Sequence, residues 1–127
     1  TLFPYGFHKS LALYAPLAYT KSMVIIETPI FTKRIQELLS DEEYRLLQAH
    51  LVNRPDVGKI IPGSGGLRKL RWSAGRHGKR GGSRVIYYWF VSKETILLLF
   101  AYPKSERDDL TLDQLRQLRK IIEKEYV

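Results

Sequence analysis

Apolar residues at helical spacing predict two short amphipathic helices in the first half of the chain. Phe31, Ile35 and Leu38 share one face of a helix that follows Thr28, a residue able to cap it, and Pro29 suits its first turn. A second helix begins with capping-box spacing and carries its own apolar face: Ser40 with Glu43, then Tyr44, Leu47 and Leu51. The pair ends where an Asn-Arg-Pro sequence stops the periodic pattern.

Runs of β-branched and aromatic residues predict four strands. Their ranges are 24–27, 67–73, 84–91 and 95–102. Glycine-rich stretches predict a loop over 58–66 and a hairpin loop over 74–83. The last three strands are therefore expected to pair in antiparallel order.

A third helix is predicted at the end of the chain, where Thr111 and Gln114 have capping-box spacing ahead of an apolar stripe. The stripe consists of Leu115, Leu118, Ile122 and Tyr126. This order predicts an α+β fold, with a small, mostly antiparallel curved sheet packed with two N-terminal helices and one C-terminal helix. We interpret residues 23–127 as one domain, and residues 1–22, which precede the only methionine, as an N-terminal extension of uncertain origin.

Positive charge is concentrated in one segment of this 127-residue chain. Between Asp56 and Glu94 there are nine Lys and Arg and no acidic residue, whereas the rest is near neutral. An uncompensated block of cations interleaved with aromatic rings is typical of a surface that binds a polyphosphate, so nucleic acid is the predicted partner.

Cysteine is absent, which excludes disulfides, thiolate zinc sites and cysteine nucleophiles. The three His residues are scattered without metal spacing, so no metal and no other cofactor is predicted. No apolar run reaches the length of about 18 residues that crosses a bilayer, so no membrane partner is expected.

Candidate site residues lie on the predicted strands. The period of two places Lys69 and Arg71 on one face of the strand 67–73, and Leu70 and Trp72 on the other. The cationic pair is either an ordinary solvated face or part of an anion-binding surface, and the surrounding cations favour the second interpretation.

Arg84 opens the most apolar strand, where its guanidinium fork is suited to a phosphate. An ion pair with Glu27 or Glu106 explains the residue equally well. Aromatic residues of the same strand could stack on bases, although a role in the core is favoured: Tyr87, Tyr88 and Trp89. If the next strand runs past Pro103, alternation brings Lys104 and Glu106 together with its final Tyr at the sheet edge; a solvated turn is the alternative.

Four segments, in order, resemble the HigB branch of the RelE toxin superfamily. They are GLRKLRW (66–72), GKRGGSRVIYY (78–88), YPKSE (102–106) and DLT (109–111). The resemblance spans 23–127 and implies a RelE-like microbial RNase fold and a cytoplasmic toxin of a bacterial type II toxin-antitoxin system. It further implies a metal-independent endoribonuclease (mRNA interferase) that cleaves mRNA, usually in the 70S ribosomal A site, inhibits translation, and is silenced by a HigA-like helix-turn-helix antitoxin.

By position, the resemblance assigns a site to Lys69, Arg71, Arg84, Lys104 and Glu106. The guanidinium groups of Arg71 and Arg84 can stabilise charge on the attacked phosphate but do not lose a proton at working pH. Neighbouring cations disfavour protonated lysine, so Lys69 or Lys104 can act as base or acid, and Glu106 is a competing base.

We interpret four of these residues as catalytic, with Lys104 and Glu106 sharing proton transfer while Arg71 and Arg84 hold charge. RNA binding is assigned to Lys69, Arg68, Arg76, Lys79, Arg80 and Trp72. Where some RelE-type members have a tyrosine after the last strand, this chain has Asp109-Leu110, so the general base stays open.

Two other functions compete with this interpretation. A non-catalytic nucleic-acid-binding module would carry the same basic surface, and its variants would lose affinity in a salt-dependent way without losing turnover. A ParE-like gyrase inhibitor of the same superfamily would act by protein contact and would not need cations to converge from three strands.

Overall fold

The computed structural model describes residues 2–3, 7–14, 21–73 and 82–126, with the side chains of 23–73 and 82–125. Its strands are β1 (Leu2–Phe3), β2 (Phe7–Tyr14), β3 (Lys21–Glu27), β4 (Lys59–Ile60), β5 (Arg68–Trp72), β6 (Ser83–Phe90) and β7 (Thr95–Pro103). Its helices are α1 (Pro29–Leu38), α2 (Asp41–Asn53) and α3 (Leu112–Tyr126). The predicted α+β class is confirmed.

The described strands form one seven-stranded sheet in the order β1-β2-β3-β7-β6-β5-β4. β3 and β7 are parallel, and the other neighbouring pairs are antiparallel, including the predicted series β5, β6 and β7. Three strands lie where the sequence predicted none. β4 falls inside the predicted loop 58–66, whereas β1 and β2 lie within the first 22 residues, and β2 pairs along the whole of β3.

The helix starts follow the predicted caps. The side chain of Thr28 accepts a hydrogen bond from the amide of Phe31, with proline in the first turn of α1. Ser40 and Glu43 form a complete capping box at α2. The reciprocal bonds of the same kind at α3 join Thr111 and Gln114.

Helices cover both faces of the sheet, so the strands between them are buried on both sides. α1 and α2 pack on one face through an apolar cluster that includes Phe31, Ile35, Leu47, Leu51, Leu70, Val85 and Tyr87. α3 packs on the other face through a second cluster that includes Ile86, Leu97, Leu99, Tyr102, Leu115 and Ile122.

A β-bulge in β7 decides which residues face α3. The pairing of β6 with β7 shifts between Ile86 and Tyr87, which leaves Leu99 without a partner on β6. A bulge inserts one residue and changes the phase of alternation beyond it. The end of β7 therefore turns the fully buried Tyr102 towards α3. Within the described part of the chain, no helix has the length and apolar character needed to span a membrane.

Candidate active site

Cations from β5 and β6 meet on the α3 face of the sheet. Arg71 lies directly opposite Arg84, and Lys69 lies opposite Ile86. Leu70 packs on the other face with α1 and α2, so the predicted alternation along β5 is confirmed. Residues directly opposite each other in an antiparallel pair have Cβ atoms roughly 5 Å apart, so two guanidinium groups share one small region. This region concentrates positive charge on a rigid part of the sheet.

Arg84 is 4% exposed, which is unusual for a charged side chain. Each of the two acidic residues considered as its partner bonds to other side chains. Glu27 accepts hydrogen bonds from Tyr44 and from Thr32, whereas Glu106 pairs with Arg34. The two carboxylates therefore bond to side chains of α1 and α2. Arg84 lies on β6, the strand between β5 and β7.

Lys104 lies in a turn beside the start of β6. β7 ends at Pro103, whose missing amide cannot continue the ladder, so Lys104 and Glu106 share a turn rather than a strand edge. The backbone amide of Lys104 donates to the carbonyl of Gly82 at 3.0 Å, two residues before Arg84. The predicted grouping along one strand edge is thus replaced by a turn that approaches β6 through its backbone.

Glu106 is held against helix α1. Its Oε1 atom accepts a hydrogen bond from Nη2 of Arg34 at 2.6 Å, while Nε of Arg34 donates to the carbonyl of Ala101 at 3.2 Å. The Arg34 hydrogen bond lowers the pKa of the Glu106 carboxyl. Glu106 is therefore ionised and strongly paired, which weakens it as a proton acceptor.

Asp109 is the carboxylate that the fold brings into the cationic region. It forms an ion pair with Lys69, whose side chain is 20% exposed, while the Asp109 side chain is 69% exposed. Lys69, followed by the charges of Arg71 and Arg84, lowers the pKa of the Asp109 carboxyl. Sequence reasoning assigned no role to Asp109, because contacts between residues 40 positions apart leave no local pattern.

Lys69, Arg71 and Asp109 border a cleft of about 580 Å³. Its walls come from the segment 57–62, from β5, β6 and β7, and from the segment leading into α3: Val57, Lys59, Ile60, Ile61, Pro62, Lys69, Leu70, Arg71, Ile86, Tyr102, Asp109, Leu110 and Leu115. Cations thus stand beside an apolar wall, a combination that suits a ligand with a phosphate and a flat apolar group.

Two residues predicted to bind RNA lie on the opposite face of β5. Trp72 packs on His50 of α2, with ring centroids 5.5 Å apart. Arg68 donates to the carbonyl of Gly58 at 2.8 Å and lies over the ring of Trp89. The fold therefore brings Lys69, Arg71 and Arg84 together and separates them from these two residues.

The remaining predicted RNA-binding residues, Arg76, Lys79 and Arg80, lie outside the described residues. Among the side chains that are described, no group of three or more His, Asp or Glu is arranged to hold a metal ion.

No family model matches the sequence. Among solved structures, the chain is similar to a mutant of the E. coli toxin RelE in the free state, with a TM-score of 0.50 and 10% sequence identity. The match covers 81% of this chain and 96% of that one. The fold is RelE-like. At this identity the likeness concerns the arrangement of the RelE-like sheet and helices, and the assignment to the HigB branch stays a prediction from sequence.

Proposed function

We propose that this protein is the toxin of a bacterial type II toxin-antitoxin system and that it cleaves mRNA, at the ribosomal A site, and thereby inhibits translation. The observation that carries the proposal is the meeting of Lys69, Arg71 and Arg84 on one face of a RelE-like sheet, where Lys69 and Arg71 line a cleft. Supporting it are the four sequence segments described above, which include these three residues.

In metal-independent RNA cleavage the protein has to assist two proton transfers and stabilise one developing charge. A proton must leave the 2′-hydroxyl, charge must be stabilised on the attacked phosphate, and the departing 5′ oxygen must gain a proton. In the proposal, Arg71 and Arg84 stabilise the phosphate, since preorganised donors around a developing negative charge supply the largest catalytic effect in many enzymes. Their position on adjacent strands fixes their separation before substrate arrives.

Proton transfer is assigned chiefly to Lys104, in the turn beside the first residues of β6. Glu106 belongs to the same turn, and its pairing with Arg34 suits it to holding the turn against α1. The sequence suggested that Lys104 and Glu106 share proton transfer. The proposal gives the larger part to Lys104, because a carboxylate with a lowered pKa accepts a proton less readily near neutral pH.

The proposed partners follow from the charge of the cleft. Messenger RNA presents phosphates to the cations, and the ribosome holds the message in the A site. An antitoxin, proposed to be a HigA-like helix-turn-helix protein, would silence the toxin with an acidic segment, since opposite charges speed association and fix its orientation.

The test is translation in a cell-free bacterial system, with primer extension on the message. Arg71→Ala, Arg84→Lys and Lys104→Ala are compared with the wild type, each after circular dichroism has verified folding. Arg45→Ala is the matched control for the two alanine variants, because Arg45 is exposed on α2 and its loss changes the net charge equally, whereas Arg84→Lys keeps the net charge. The wild type and the control are expected to cut within codons, and the site variants to lose about 100-fold or more of the cleavage rate.

Intact message with translation still blocked would refute the nuclease and indicate a binding inhibitor. Unblocked translation, together with inhibition of gyrase supercoiling, would indicate the ParE-like function instead.

A further inference from the structure

The cationic region of the cleft already contains an anion supplied by the chain itself. We propose that the Asp109 carboxylate occupies the position of a substrate phosphate, and that RNA has to displace it from Lys69 in order to bind. Asp109 would then act as a built-in competitor that sets the affinity of the site. This inference rests on the proposed function for the identity of the natural ligand, but its physical basis is the ion pair.

A carboxylate has the chemistry to take the place of a phosphate. An ionised carboxylate only accepts hydrogen bonds, and it accepts them from lysine and arginine as a phosphate does. Asp109 is paired with Lys69, and its lowered pKa reflects Lys69 together with Arg71 and Arg84. Two of these cations, Arg71 and Arg84, are proposed to hold the scissile phosphate and the third, Lys69, to bind RNA, so both anions would compete for one place.

The position of Asp109 in the fold allows it to leave. It lies on the segment between β7 and α3, its side chain is 69% exposed, and its described side-chain bond is the one to Lys69. The flanking residues are fixed independently, because Tyr102 donates to the carbonyl of Asp108 and Thr111 caps α3. Exposed ion pairs contribute little net stability, so rotation of this one side chain is energetically accessible.

The second acidic residue of the same segment provides a contrast. Glu106 is paired with Arg34 of α1 and not with the cations of β5. Removing its charge changes the net charge of the protein by the same amount as removing that of Asp109. A specific effect of Asp109 can therefore be separated from a general effect of net charge.

The experiment measures binding of inorganic pyrophosphate to ¹⁵N-labelled full-length protein, through amide chemical shifts of β5 and β6. Asp109→Asn is compared with the wild type and with two controls, Glu106→Gln and Glu37→Gln, the latter exposed on α1. Because Asn cannot pair ionically with Lys69, Asp109→Asn is expected to bind pyrophosphate about threefold to tenfold more tightly, and the controls less than twofold more tightly. Unchanged or weaker binding by Asp109→Asn, or equal tightening in the controls, overturns the proposal.

A second arm separates this inference from the proposed function. A labelled RNA with 2′-O-methyl riboses cannot be cut, so its affinity is measured by fluorescence anisotropy at several salt concentrations. In Asp109→Asn, Lys69 is available to the RNA as one additional cation. The slope of the logarithm of the binding constant against the logarithm of the salt concentration is therefore expected to become steeper by about 0.7. An unchanged slope counts against displacement of Asp109 by RNA.

Turnover of unmodified RNA on ribosomes then tests the nuclease alone. If the wild type cuts no message while Asp109→Asn still binds pyrophosphate more tightly, the proposed function is refuted and the role of Asp109 as a competitor is supported. If the turnover number of Asp109→Asn collapses while its pyrophosphate affinity is unchanged, the competitor is refuted and Asp109 belongs to proton transfer.

Discussion

Replacing Tyr87 by phenylalanine removes one oxygen atom that joins β6 to the wall of the cleft. Tyr87 is fully buried. Its hydroxyl donates to the carbonyl of Pro55 at 2.7 Å and accepts from the amide of Gly58 at 2.8 Å. Pro55 lies just before the segment 57–62 that forms part of the cleft wall, and Gly58 lies within that segment. Tyr87→Phe keeps the ring and leaves these two buried groups without their partner.

An unsatisfied buried polar group costs about 1–3 kcal/mol, and here there are two. We therefore expect Tyr87→Phe to lower the free energy of unfolding by about 2–4 kcal/mol, after allowing for partial relaxation of the loop. Urea denaturation measures this change as a lower midpoint at constant slope. Hydrogen exchange provides a local measurement, because the amide of Gly58 should lose protection more than its neighbours.

Tyr88→Phe is the matched control, since Tyr88 is the next residue on β6, half-buried, and its described contacts are made by the ring. It should lower the free energy of unfolding by less than about 0.5 kcal/mol. Equal losses in the two variants, or a loss below about 1 kcal/mol in Tyr87→Phe, would refute the assignment of two buried hydrogen bonds to this hydroxyl.

Three other predictions concern stability. Gly82 has φ +61°, and a Cβ there would lie 2.2 Å from the carbonyl oxygen of Trp72. Gly82→Ala should therefore lower the free energy of unfolding by about 2 kcal/mol or more. A loss below about 1 kcal/mol in urea denaturation would contradict this. Ser40→Ala removes the N-cap of α2 and should lower it by about 1 kcal/mol in the same assay, whereas no change would show that the cap is dispensable. Arg34 lowers the pKa of the Glu106 carboxyl in the folded protein. The ion pair therefore stabilises the fold above the pKa of glutamate in the unfolded chain, near 4.3, and this stabilisation is lost as the pH falls through the lower pKa of the folded protein. The difference in Tm between the wild type and Glu106→Gln should shrink from pH 7 to pH 3, and a constant difference would exclude the ion pair as its cause.

The features that sequence predicted well depend on residues close together in the chain. The helix boundaries at Ser40 and Thr111 are set by contacts three residues apart, which a linear pattern contains. The faces of β5 follow from strict alternation, so the position of Lys69 and Arg71 on a common face was also predictable. These elements, combined in order, were sufficient for the α+β class.

The features that sequence did not predict depend on distant residues or on irregular backbone. The bulge at Leu99 carries no distinguishing residue type, yet it decides that the end of β7 faces α3. Glu106 joins Arg34 across 72 positions, and Asp109 joins Lys69 across 40. From charge alone Glu106 was a candidate partner of Arg84, and only the folded sheet shows that it pairs with Arg34.

The parallel pairing of β3 with β7 has a bearing on how the chain folds. β5, β6 and β7 are neighbours both in sequence and in the sheet, so their antiparallel pairs close short loops. The pairing of β3 with β7 is expected to form later, because it closes a long loop: the hydrogen bond from Thr28 to the carbonyl of Leu99 spans 71 positions. During synthesis β3 emerges early, but it can pair with β7 only when most of the chain has been made. The pairing of β3 with β7, and the packing of α1 on the sheet, are therefore expected to form last.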